Sequence, residues 1–153
     1  MNNKLPEINI GGRMIPLYYS TMEMVEIQEQ IGCTGYQLND EVFGVKKEID
    51  EEDPNKPADV RFGVVNDAKK IRKFCTLLKI LGNAGLEESG QEPDIDEKWI
   101  MRHMKPGMII IYVMTVIAVI AEGNLIESTS DKKEEGPVDV LVEEENAKKP
   151  QGS

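Results

Sequence analysis

The stretch Pro106–Gly123, PGMIIIYVMTVIAVIAEG, is the longest apolar run in the chain and decides how the rest must fold. The fourteen residues Met108–Ala121 carry no charge. Pro106 suits the first turn of a helix, where its missing N–H is not needed, and Gly123 suits the position just past the last turn. We therefore predict a helix buried nearly all round, covered by other elements or by another subunit.

A membrane-spanning role for this run is not favoured. Fourteen helical residues extend roughly 21 Å, whereas the hydrocarbon core of a bilayer is about 30 Å thick. Lys105 and Glu122 bound the run with charge. The first residues of the chain also lack the apolar region of a signal peptide, so we expect a cytoplasmic protein that does not bind membranes.

The composition indicates one acidic domain. The 153 residues carry a formal net charge of −10, which opposes non-specific binding to nucleic acid or to anionic lipid. The two cysteines, Cys33 and Cys75, do not suggest a disulfide framework, so a reducing compartment is expected. Cys75 lies on an apolar helix face, which is typical of a small buried side chain rather than a nucleophile.

Two N-terminal elements have clear local signals. Residues 7–18 alternate as a β-hairpin around Gly11-Gly12, a two-residue turn that needs positive φ. The sequence Ser20-Thr21-Met22-Glu23 fits a capping box and predicts a helix over residues 21–31 that stops at Gly32. The helical spacing places Met24, Ile27 and Ile31 on the buried face and Glu23, Glu26 and Glu29 outside.

The segment 46–59 has too few apolar residues to form part of a core. It contains six acids, three bases and two prolines, and Ile49 and Ala58 are its only apolar side chains. Because so little buried surface cannot offset the ordering entropy, we predict a solvated, flexible acidic loop.

A basic amphipathic helix is predicted over residues 67–81, capped by Asp67 and ended by the glycines of Gly82–Gly85. Its polar face carries five bases against the single acid Asp67, a local charge of +4. This is either a solvated face partly neutralised by acidic segments of the chain, or a docking face for an acidic partner. The candidate partner-binding residues here are Lys69, Arg72 and Lys73. A small nucleic-acid-binding regulator that uses this helix is the alternative function, although the total charge opposes it.

A short helix is predicted from Pro93–Glu97 to about Met104, with acids at its positive end. The only histidine, His103, has no cysteine or histidine at metal-ligand spacing. The chain contains no phosphate loop, nucleophile elbow, zinc-protease motif or dinucleotide fingerprint. We therefore predict no enzymatic activity, no cofactor and no metal site.

The predicted fold class is α+β, with an N-terminal β-hairpin and a mainly helical core of about four helices within residues 1–126. Residues 127–153 contain eight acids, four bases, two prolines and no aromatic residue, and we predict a disordered acidic tail. One apolar patch in this tail becomes ordered on a partner, adds as a strand to a sheet edge, or has no role. Its candidate partner-binding residues are Val138, Val140, Leu141 and Val142.

Four sequence features occur in a characteristic order along the chain. They are the motif LGNAG at 81–85, the helix start Pro93–Trp99, the helix beginning at Pro106 and the ending ENAKKP at 145–150. Together with the hairpin and the capped helix, this order resembles the tail assembly chaperones of long-tailed bacteriophages and prophages of Gram-positive hosts. The resemblance covers most of the chain and is weakest over residues 45–59.

The resemblance implies a non-enzymatic protein in the cytoplasm of the bacterial host. Such chaperones bind the tape-measure protein and the major tail tube protein during tail assembly, prevent aggregation of long hydrophobic helices and are absent from the mature virion. The resemblance also implies self-association. Many members have a longer product made by a programmed ribosomal frameshift, with which Lys148-Lys149 is compatible.

Overall fold

A central helix, α2 (Ala68–Glu88), organises the residues that a computed structural model describes, 4–124. Its apolar face contributes ten buried residues, among them Phe74 and Leu81. The other elements are β1 (Glu7–Ile10), β2 (Arg13–Pro16), α1 (Thr21–Ile31), a π-helical turn (Asn39–Phe43), β3 (Val45–Glu48), β4 (Asp59–Phe62), α3 (Glu97–His103) and α4 (Ile109–Gly123), with 3-10 turns at Gly63–Asn66 and Pro106–Met108. Two small antiparallel sheets and four α-helices make the fold α+β, as predicted.

The first hairpin is confirmed. Strands β1 and β2 pair antiparallel, with Ile8 opposite Ile15. Gly11 and Gly12 form the turn at φ values of 62° and 89°, which side chains rarely allow. A Cβ atom on Gly11 would also lie 2.9 Å from the Cβ of His103, so this turn rests against the end of α3.

Helix α1 has the predicted bounds, but two of its side chains are not where the spacing placed them. The Glu23 carboxylate turns back and accepts the Ser20 backbone N–H at 2.8 Å, as a capping box requires. Glu23 is therefore buried, whereas Met24 is exposed. The expectation of an outward Glu23 and an inward Met24 was wrong, because the cap hydrogen bond satisfies the carboxylate beneath the helix start.

The acidic loop predicted at 46–59 is shorter than expected. Its two ends belong to β3 and β4, which pair from Val45 opposite Phe62 to Glu48 opposite Asp59. Residues 49–58 form turns, in which the Asp53 amide donates to the Asp50 carbonyl oxygen at 3.1 Å. Two strands can pair without a buried apolar side chain at every residue. The low apolar content of residues 46–59 therefore gave no indication that four of them are paired in β3 and β4.

Helix α2 continues seven residues beyond the predicted end at Leu81. The glycines that we interpreted as a stop lie inside the helix and allow close packing. A Cβ atom on Gly82 would lie 2.6 Å from the Ile95 Cδ1 atom, and one on Gly85 would lie 1.9 Å from the Pro16 carbonyl oxygen. Glycine is therefore required here for backbone approach and not for a left-handed cap.

Asn83 fixes the chain that leads into α3. Its side-chain amide donates to the Ile95 carbonyl oxygen at 3.0 Å, and its side-chain oxygen accepts the Ile95 N–H at 3.1 Å. Immediately afterwards, the Asp96 side chain accepts the Trp99 N–H at 2.8 Å and caps α3. The motif LGNAG at 81–85 thus holds both β2 and the start of α3 against α2.

We expect Gly85→Ala to destabilise the fold by about 3 kcal/mol or more, because the new methyl group would overlap the backbone of Pro16. The matched control is Gly107→Ala, since a Cβ atom there meets nothing within 4 Å. The control should be neutral or stabilising by up to about 1 kcal/mol. Chemical denaturation of both variants measures the difference, and equal stabilities would mean that β2 does not rest on α2.

Candidate functional site

An apolar strip on α4 is exposed among residues 4–124, so the other elements of the described chain do not bury this helix nearly all round as expected. Cover by another subunit stays a prediction. The inner face is buried in the core through Ile109, Tyr112, Val113, Val116 and Val119. The outer face, which we call the α4 strip, consists of Ile110, Ile111, Met114, Ala118 and Ala121. The three large side chains of the strip, Ile110, Ile111 and Met114, are 44%, 53% and 57% exposed.

The α4 strip is open because the described chain covers only the opposite face of the helix. On that face the Tyr112 hydroxyl donates to the Asn9 carbonyl oxygen of β1. At the far end, a Cβ atom on Gly123 would lie 2.6 Å from the Tyr19 ring. A contiguous exposed apolar surface of this kind is typical of a binding surface.

The length of this helical span bears on the membrane alternative. Pro106–Gly123 has 18 helical residues and is long and apolar enough, by length and composition alone, to cross a membrane. About a third of the span is buried inside the described fold. The helical span is therefore longer than the fourteen residues on which the length argument against a membrane span was based, although the core helix of a soluble protein passes the same test of length and composition.

The two faces of α4 should respond differently to a charge. We expect Val113→Asp to destabilise the fold by about 3 kcal/mol or more, because a fully buried side chain would become an unpaired carboxylate. Ile111→Asp should change the free energy of unfolding by no more than about 0.5 kcal/mol, because its side chain is half exposed. Thermal melts at several protein concentrations test this. A large loss in Ile111→Asp that depends on concentration would mean that the strip is covered by a second copy.

The basic residues of α2 are divided between two surfaces. Lys73 lies 3.3 Å from the carboxylate of Glu41, which belongs to the π-helical turn Asn39–Phe43. Arg72 lies on the other side, against α3. Lys69 is exposed near the start of the helix. The pairing of Lys73 with Glu41 fits the alternative in which acidic segments of the chain partly neutralise the basic face of α2. The partner-binding role of Lys69, Arg72 and Lys73 stays a prediction.

Arg72 borders an open groove of about 640 Å³ between α2 and α3. We call it the α2–α3 groove, and its lining residues are Arg72, Glu97, Lys98, Met101 and Arg102. Lys98 and Arg102 are four residues apart and so lie on one face of α3, with Met101 beside them. Sequence reasoning missed all three α3 residues, since the basic signal of α2 gave no indication of which helix would face it.

Glu97 is the acid of this groove, and it is already engaged. Its carboxylate lies 3.1 Å from the Lys79 Nζ and accepts a hydrogen bond from the Thr76 hydroxyl at 3.2 Å. Partial burial raises the pKa of Glu97, but the hydrogen bonds from Lys79, its own backbone and Thr76 outweigh this and hold the pKa below its usual value. The carboxylate therefore stays charged and links α2 to α3.

The opposite face of α3 carries a stacked aromatic cluster. The Trp99 and His103 rings stack with centroids 4.7 Å apart, and the His103 Nδ1 is 2.8 Å from the Trp99 carbonyl oxygen. The Arg13 guanidinium lies over Trp99 at 5.9 Å and pairs with Asp94 at 2.8 Å. The hydrogen bond from Arg13 holds the pKa of Asp94 below its usual value. These contacts give His103 a packing role between β2 and α3.

Both cysteines are buried. Burial raises the pKa of the Cys75 thiol to about 11, and the Glu97 carboxylate adds to this against the opposing effect of Arg72. Burial also raises the pKa of Cys33, with Lys73 lowering it and Glu41 raising it. Within residues 4–124, no three His, Cys, Asp or Glu side chains are grouped to hold a metal ion.

We expect both thiols to react slowly with a water-soluble disulfide reagent at about pH 8 in the native protein, because Cys75 stays protonated and neither sulfur is open to solvent. Guanidinium-unfolded protein should release two fast equivalents. Absorbance of the released thiolate measures both. One fast equivalent in the native state, lost in Cys33→Ser, would show that Cys33 is accessible.

The remaining sequence candidates, Val138, Val140, Leu141 and Val142, lie outside the described residues, as does the whole predicted tail. No protein-family model, curated protein or solved structure matches this chain.

Proposed function

We propose that this protein is a tail assembly chaperone of a long-tailed bacteriophage or prophage of a Gram-positive host. In this role it binds the tape-measure protein and the major tail tube protein, prevents their aggregation during tail assembly and is not retained in the mature virion. It acts by binding, without catalysis or a cofactor. The observation that carries this proposal is the uncharged α4 strip, which is exposed on an otherwise acidic protein.

The chemistry of the strip suits the clients of such a chaperone. An amphipathic client helix can lay its apolar side along Ile110, Ile111 and Met114 and remove both surfaces from water. Burial of apolar area is worth roughly 25 cal/mol per Å², without any specific pattern of hydrogen bonds. Met114 has an unbranched, adaptable side chain that accepts varied apolar partners. The strip therefore binds by apolar contact and shape, which suits long clients of repetitive hydrophobic character.

The charge of the protein supports the same function. A formal charge of −10 keeps the protein soluble. An apolar client held on this surface would share that solubility. The alternative of a nucleic-acid-binding regulator that uses residues 67–81 is less well supported, because Lys70, Lys73 and Lys79 each lie within 4.0 Å of a carboxylate.

The test is co-expression with the cognate tape-measure fragment. We expect the full chain to raise the soluble yield of the fragment and to form a mixed complex, measured by light scattering on a gel-filtration column. The double variant Ile111→Asp/Met114→Asp should lose the mixed complex while keeping its melting temperature.

The matched control is Ile49→Asp/Met22→Asp, which changes the same two residue types at positions that are 68% and 65% exposed. It should leave complex formation unchanged. The same column gives the mass of the protein alone and so measures the self-association that belongs to this proposal. If the fragment stays insoluble with the unmodified chain, the chaperone function is wrong.

A further inference from the structure

We infer that the α2–α3 groove is a second binding surface and that it takes a peptide segment with carboxylate side chains around one apolar side chain. This surface goes beyond the proposed chaperone function, because it involves different residues from the α4 strip and a different kind of contact. The three observations behind it are a positive charge that has no ion-pair partner among residues 4–124, an apolar side chain in the lining of the groove, and an acid that is already paired with a lysine.

The positive charge of the groove has no partner within the described chain. Arg72, Lys98 and Arg102 all line it and are exposed. Among residues 4–124, each ion pair within 4.0 Å involves other basic residues, namely Lys4, Arg13, Arg61, Lys70, Lys73 and Lys79. Three like charges that converge on one groove, in a protein of net charge −10, favour an anionic occupant.

The single acid of the groove does not cancel this charge. Glu97 is held by Lys79 at 3.1 Å and by Thr76 at 3.2 Å. Lys79 is not among the lining residues of the groove, so the ion pair balances the charge of the Glu97 carboxylate from outside the groove. The side that faces an incoming ligand keeps three positive charges.

The shape and the residue types favour a peptide over other anions. Arg72 and Arg102 each present a planar guanidinium, which can bind a carboxylate through two parallel hydrogen bonds. Met101 also lines the groove and is partly exposed, so it offers an adaptable apolar contact to a side chain such as leucine. None of the lining residues is aromatic, and a nucleic-acid strand would lack a stacking platform. An acidic segment with one apolar side chain meets all of these features.

The experiment measures binding of a short fluorescent peptide that alternates glutamate and leucine to the full chain by anisotropy at low ionic strength. We expect saturable binding that weakens with added salt, because it depends on charge. The double variant Arg72→Glu/Arg102→Glu should bind at least about tenfold more weakly, and Met101→Ser should also weaken binding. The matched control Lys46→Glu/Lys56→Glu makes the same change in net charge at two exposed lysines and should leave affinity nearly unchanged. Melting temperatures check that every variant is folded.

Several results would overturn this inference. One is binding that falls equally in the groove variant and in the Lys46/Lys56 control, since this would reflect net charge alone. Another is a single-stranded oligonucleotide that binds through Arg72 and Arg102 while the peptide does not. A third is a drop in molecular mass of the Arg72→Glu/Arg102→Glu variant in light scattering, which would assign the groove to a second copy of the chain. No peptide binding at all would also overturn it. The Ile111→Asp/Met114→Asp variant should bind the peptide normally, so failure here and failure of the chaperone function are distinguishable.

Discussion

The backbone contact between β2 and α2 is the constraint on which the rest of the described fold depends. At Gly85, the Pro16 carbonyl oxygen lies where any side chain would begin. Just beyond β2, the Tyr18 N–H donates to the Leu81 carbonyl oxygen at 3.1 Å, so a strand exit is hydrogen-bonded directly to a helix backbone. This satisfies a donor that would otherwise be left without a partner near the core. The absence of a side-chain layer at this point lets Ile15 and Leu17 both become buried.

The geometry of α3 follows from the same region of α2. Gly82 leaves room for Ile95, and Asn83 holds the Ile95 backbone by two hydrogen bonds. Once Ile95 is fixed, the Asp96 cap sets the start of α3 and the direction of its faces. One face then stacks Trp99 and His103 beneath the first hairpin, and the other directs Lys98 and Arg102 into the α2–α3 groove. The position of a surface residue such as Arg102 therefore depends on how α2 packs against Ile95.

The features that the sequence predicted well are those with short-range causes. The Gly11-Gly12 turn and the Ser20–Glu23 box form from neighbouring residues, so their patterns are sufficient. The predicted end of α2 was wrong because glycine occurs both at left-handed helix caps and where two backbones pack closely. Only the contact with Pro16, which is distant in sequence, distinguishes the two cases. Of the residues that line the α2–α3 groove, the sequence singled out only Arg72. Arg72 was recognised from the charge of its helix, but the side chains that complete the groove lie on another helix, and helical periodicity carries no information on which elements meet.

Two properties of the outer face of α4 need separate explanations. One is that the face is uncovered, and the other is that it is apolar. Helix α2 already provides ten buried residues, so α4 completes the core with one face only. The outer face is then free of any folding requirement, and charged residues there would raise solubility at little cost in stability. Ile110, Ile111 and Met114 nevertheless remain apolar, while most of the exposed positions of α2 are charged. Core packing explains why the inner face is apolar, but it does not explain the outer one. The proposed apolar partner would account for that difference, whereas the α2–α3 groove would take the acidic peptide proposed for it.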